Sequence, residues 1–138
     1  VNSDRIMRDA APAKAAQAKL EADFAKRDKD LNDNGNRIKA AADKLEKDAP
    51  TLSESERNRR QRDLVEQDRD LQRKRREFQE DLNQRRQEEL SGLIDRINKV
   101  IKQIYEAEKY DLIVQEAVFA SKRVDITDKV IKAIDAQK

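Results

Sequence analysis

The chain contains no cysteine and no histidine. Their absence excludes disulfide staples, thiol catalysis, thiolate metal sites and histidine general bases. It leaves the redox compartment open. Tryptophan is also missing and aromatics make up only 4% of the residues, too few for the stacking platforms of single-strand nucleic-acid binders. Glycine and proline occur twice each, which leaves room for long uninterrupted helices. No apolar run approaches the roughly 18 residues of a membrane span. No secretory signal is visible, and Val1-Asn2 without a methionine leads to the expectation of a processed or trimmed start.

What the chain has in excess is charge. Charged residues reach 43% of 138 positions, yet the formal net charge is only +2. Ordinary domains carry about 25% charged residues. With 36% hydrophobic residues, one globule would be short of apolar surface to bury. Balanced charge argues against a self-repelling disordered tail and favours long exposed helices.

Periodicity supports helices. Pro12 suits the first turn of one, where its missing N–H is not needed. Phe24, Leu31, Ile38 and Leu45 then recur every seventh residue, with Ala13, Leu20 and Ala41 on the second seam. Such a seam must face another helix. Asn32 to Asn36, with Gly35 inside, are poor helix formers. Leu31 and Ile38 stay in phase across them, so the spacing predicts a continuous helix with a soft spot. The stronger break is at 48–53. Pro50 cannot continue a helix, and Ser53 with Glu56 forms a capping-box signature for the next one. That second helix carries Leu64, Leu71 and Phe78 seven apart, then Leu82. A wider stripe of Leu90, Leu93, Ile94, Ile97, Val100, Ile101 and Ile104 follows, and the helix is expected to reach about Glu108. At ~1.5 Å per residue it would be on the order of 80 Å long. The stripe predicts a helical hairpin anchored in a core near 90–104 and free near Pro50.

The pattern changes at Tyr110. Residues 110–114 and 117–120 are β-prone runs, and Val124 is a candidate for a third short strand. Ile126 and Ile131 flank a cap at Thr127 and predict a last helix over about 128–136. So few short strands are marginal alone and need partners from the N-terminus or from another copy. The fold class expected is mainly α with a small β body: a long antiparallel coiled-coil hairpin on a short-stranded oligomerisation core. Residues 13–108 form the hairpin arm, with its turn near 48–53, and 1–12 with 109–138 form a discontinuous body.

No cofactor or metal site is expected. The densest carboxylates, Glu88-Glu89 and Asp68/Asp70, do not share a helix face. There is no phosphate loop, nucleophile elbow or metal-ligand spacing, so an enzyme is not expected. The basic surface formed by Arg57, Arg59, Arg60 and Arg62, faced by Lys44 and Lys47, can attract anionic protein segments or lipid head groups. The interleaved acids make a merely solvated face the alternative. Nucleic acid is not expected as a partner. Phe24, Leu31, Ile38, Leu64, Leu71 and Phe78 read first as the seam between two helices. A thin seam stays partly exposed, so client contact is compatible with it.

Tyr110-Asp111-Leu112-Ile113-Val114, Ala117-Val118 and Asp125-Ile126-Thr127-Asp128-Lys129-Val130, with Val1-Asn2 and Ile6 at the start, resemble blocks of the Skp/OmpH family of periplasmic chaperones. The resemblance covers essentially the whole chain. It implies a homotrimer in which strands and terminal segments of three copies build a β-containing body, here Leu112, Ile113, Val114, Val118 and Phe119. Three hairpins project around a cavity in the periplasm. Unfolded outer-membrane β-barrel proteins are held there without ATP. The resemblance also implies a candidate lipopolysaccharide contact. Lys74 and Arg85 match two of its positions, while Gln84 stands for an arginine and Asn98 for a glutamine. Gly35 in the soft run is a candidate hinge. A structural coiled-coil adaptor with fixed protein partners is the alternative function.

Overall fold

The computed structural model describes residues 1–137. Four α-helices make up most of it: α1 (Ser3–Asp9), α2 (Ala11–Asp48), α3 (Glu54–Glu108) and α4 (Thr127–Ala136). A 3-10 turn over Ala49–Thr51 joins α2 to α3. The chain packs as two units. A terminal unit comprises Val1–Glu21 with Arg85–Lys138, and a central unit comprises Ala22–Gln84.

The terminal unit holds the main core. Leu93, Ile97, Val100 and Ile104 alternate at spacings of four, three and four along α3, which keeps them on one face. Ile6 and Ala10 at the α1 end, Ala13 of α2, and Val130 and Ile134 of α4 close over them. Leu90 and Ile94 of the expected stripe remain exposed, and Ile101 is half-buried. The stripe is therefore wider than the core that one chain supplies. Asn2 caps α1 by accepting the Arg5 N–H at 2.8 Å. The start of α2 is capped from outside: the Asp135 carboxylate accepts the Ala11 N–H at 2.7 Å.

At the far end of α3, Lys109 adopts a left-handed backbone with φ 55°. Its neighbour Tyr110 donates its N–H to the Tyr105 carbonyl at 3.2 Å, closing the helix as a Schellman motif does. The final helix begins at Thr127, and the expected cap moves back two residues. The Asp125 carboxylate accepts the Thr127 N–H at 2.9 Å, so Asp125 supplies the capping oxygen.

The strands expected over 110–114 and 117–120 and near Val124 are not formed, and there is no strand among the described residues. A strand requires an edge to pair with. The N-terminal ammonium of Val1 donates to the Val114 carbonyl at 2.9 Å, a lone main-chain link and no ladder.

In the central unit α2 and α3 run antiparallel. Phe24 meets Phe78, Gly35 lies beside Leu71 and Arg75, and Asp48 lies near Arg60. The soft run Asn32 to Asn36 is helical throughout, as its unbroken heptad phase predicts. Together these five residues forgo roughly 3 kcal/mol of helix propensity relative to alanine. The break falls where Pro50 puts it, within Ala49–Thr51. Half of the predicted capping box forms, with the Glu56 N–H donating to the Ser53 hydroxyl at 3.2 Å. The Glu56 carboxylate turns instead to Arg59 at 2.9 Å.

Candidate functional site

Three surfaces carry the residues singled out from the sequence. The first is the irregular segment between α3 and α4. Leu112, Val118 and Phe119 are 74%, 90% and 94% exposed, with Val114 and Val124 also exposed and Ile113 half-buried. All of these except Val118 line an open concavity of about 570 Å³, together with Val1, Asn2 and Tyr110. Large apolar side chains clustered in water on one short segment are uncommon on the surface of a monomer.

The second is the seam of the central unit. Phe24, Leu31, Ile38, Leu64 and Phe78 are half-buried, and Leu71 alone is buried. Phe24 and Phe78 pack edge to face, with ring centroids 5.7 Å apart at 74°. Arg27 lies over both rings, its guanidinium carbon 5.6 Å from the Phe24 centroid and 5.5 Å from that of Phe78. Asp81 holds the same guanidinium at 2.8 Å. Aromatic pairing, cation–π attraction and an ion pair meet at one place. Sequence reading overlooked Arg27 and Asp81. The available signal was their spacing, each three residues after a seam phenylalanine and hence on the same side of its helix.

The third is basic. Lys44, Lys47, Arg57 and Arg62 are exposed and have no carboxylate within ion-pair distance among the described residues. Arg59 and Arg60 differ. Arg59 is paired with Glu56 at 2.9 Å, and Arg60 lies 3.6 Å from Asp48. The cluster thus divides into internally neutralised and unneutralised cations. Lys74 is bound to Asp70 at 2.8 Å, and Arg73 shares that carboxylate at 2.5 Å. Hydrogen bonds from Lys74 and Arg73 hold the Asp70 carboxyl below the usual range. In the terminal unit Arg85 lies 3.3 Å from Glu89. Gly35 sits on the α2 face that meets α3, where an added Cβ would lie 3.1 Å from the Arg75 guanidinium.

No set of three or more carboxylates converges as a metal site among the described residues. No helix among them is long and apolar enough to cross a membrane. The chemistry these surfaces offer is non-covalent: apolar cover, aromatic contact and attraction of anions.

Comparison with known proteins places this geometry. The family described as outer membrane protein (OmpH-like) matches residues 1–134, nearly the whole chain. The chaperone protein Skp of Pectobacterium atrosepticum is 25% identical over 136 residues, spanning 97% of this chain and 82% of that one. The chaperone protein Skp of Photorhabdus luminescens is 27% identical over 126 residues, spanning 89% and 76%. The crystal structure of an OmpH-like chain from Caulobacter crescentus CB15 superposes with a TM-score of 0.88, covering 99% of this chain and 82% of that one. Its sequence is 24% identical, so the likeness concerns the fold.

Proposed function

Because this chain belongs to the OmpH-like outer membrane protein family, we propose that it is an ATP-independent holding chaperone of the periplasm. It binds unfolded outer-membrane proteins in a cavity between the arms of a homotrimer and prevents their aggregation during outer-membrane biogenesis. The observation that carries this reading is the segment between α3 and α4. Its Leu112, Val118 and Phe119 side chains stand in water. Its backbone makes one link to the N-terminus, from Val1 to Val114. Partner copies would supply both missing ingredients, apolar cover and strand edges. Leu112, Ile113, Val114, Val118 and Phe119 are the residues proposed to form that trimer body, with short strands arising on assembly.

The half-buried seam suits a holder. Phe24, Leu31, Ile38, Leu64, Leu71 and Phe78 give weak apolar contact repeated along a helix pair, which favours breadth over fit. Lys44, Lys47, Arg57 and Arg62 attract acidic client segments or anionic lipid. A lipopolysaccharide phosphate at Lys74 or at Arg85 has to displace the carboxylate that each already holds.

Two measurements test the reading. Light scattering is expected to give the mass of a trimer, and a monodisperse monomer defeats the architecture. Equimolar trimer is expected to keep several urea-diluted β-barrel proteins from aggregating. Failure with every client sinks the chaperone function, and protection of one fixed partner alone would point to an adaptor.

A further inference from the structure

In the central unit the stretch with the least intrinsic preference for helix coincides with the best-packed contact. Asn32 to Asn36 lie inside α2, yet their side chains favour turns and caps over helix interiors. Opposite them is Leu71, at 4% exposure, while Leu31, Ile38, Leu45 and Leu64 are only half-buried. Gly35 accounts for the closeness. A Cβ built there would meet the Arg75 guanidinium at 3.1 Å and a Leu71 methyl at 3.7 Å. The run contributes little to its own helical state, and α3 holds it from outside.

Polar and aromatic contacts between the two helices bracket this stretch. On one side Phe24 and Phe78 interlock with Arg27 and Asp81. On the other, Asp48 lies 3.6 Å from Arg60 beside the Ser53 cap. Between these two points no ion pair crosses from α2 to α3 among the described residues; the pair Lys29–Asp33, at 2.8 Å, stays within α2.

We infer that residues 28–38 of α2 are a conditional helix, ordered while Leu71 is packed against Gly35 and opening as a local unit when Leu71 leaves. Opening uncovers Leu31, Ile38 and Leu71 together. The apolar surface that helix pairing hides thereby becomes available without unfolding the rest of the unit. Its use in capturing unfolded chains rests on the function proposed above; the opening itself does not.

Hydrogen exchange on the full chain tests this. Amides of residues 32–38 are expected to exchange at least about tenfold faster than those of 22–27 and 40–47, as a locally opening unit requires. Leu71→Ala is expected to speed residues 32–38 about tenfold further and to leave 93–104 unchanged, since deleting a buried leucine removes the outside support. Gly35→Ala tests the same point without weakening the fold. The flexible tip of Arg75 can swing aside, and alanine's higher helix propensity is expected to slow those amides about fivefold. Even exchange across 22–47 in the natural chain, or Leu71→Ala speeding that whole range evenly, overturns the inference. A chain with the expected exchange pattern that protects no β-barrel client overturns the chaperone function alone.

Discussion

The hydroxyl of Thr127 accepts the main-chain N–H of Asn2 at 2.9 Å, joining residues 125 positions apart. The same hydroxyl donates to the Asp125 carboxylate, and Thr127 is fully buried. One side chain thus ties the entry of α1 to the entry of α4. Arg5 reinforces the link through Asp128.

Replacing Thr127 by Val keeps its shape and removes both bonds. The part-buried Asn2 N–H loses its acceptor, and the expected cost is about 1 kcal/mol. Thr127→Ser keeps the hydroxyl and is expected to lose less. Urea midpoints compare the two, and a Val variant as stable as the natural chain would show that the link contributes nothing.

Lys109 occupies a left-handed conformation that a Cβ disfavours. Lys109→Gly is expected to raise stability by about 0.5–1 kcal/mol, since glycine at this position carries no such penalty. The chain entropy that glycine adds to the unfolded state offsets part of the gain. A thermal melt reads the shift, and a lower midpoint would count against the helix end described above.

The cluster around Arg27 lends itself to double-mutant cycles. Both members of the Arg27–Asp81 pair are about half exposed, so solvent screening limits their coupling to about 0.5 kcal/mol, shrinking as salt rises. The Phe24–Phe78 contact is expected to couple by about 0.5–1.5 kcal/mol and to be insensitive to salt. Equal salt dependence in both cycles would refute this division.

Acid should destabilise the terminal unit. Hydrogen bonds from Lys129 and Tyr110 hold the Glu108 carboxyl below its ordinary range. The Thr127 hydroxyl and N–H do the same for Asp125. Carboxyls depressed in the folded chain stabilise it above the unfolded value, near pH 4, and that contribution is lost as pH falls through the lower folded values. Melting temperature is therefore expected to fall as pH drops below about 5. Asp125→Asn, which cannot gain or lose that proton, should flatten part of the drop. An unchanged slope would show that Asp125 is not a contributor.

Some of this was readable along the chain because its causes are local. Pro50 ends α2 through its own ring, and Ser53 begins α3 through its own hydroxyl. The seam from Phe24 to Phe78 follows from spacing, because a helix returns every seventh side chain to nearly the same face. Periodicity also carried the helix through Asn32 to Asn36 against local preference. It could not say which lysines and arginines were neutralised. Arg60 is drawn to Asp48 across the turn, a contact that no spacing within one helix reveals.

By itself, then, the sequence determined the two long helices, the last helix, the break at Pro50 and their apolar faces, since each depends on neighbours within one or two turns; α1 (Ser3–Asp9), inside the expected β-containing body, it did not. Tertiary structure decided what depends on distant partners. The Asp135 cap on α2, the Thr127 bond to Asn2 and the seat of Arg27 between two rings all join residues that chain distance keeps apart. The strands around Leu112 and Val118 show the same division. Their β-prone composition is local, but a strand exists only when another edge satisfies its backbone, and no such pairing forms among the described residues.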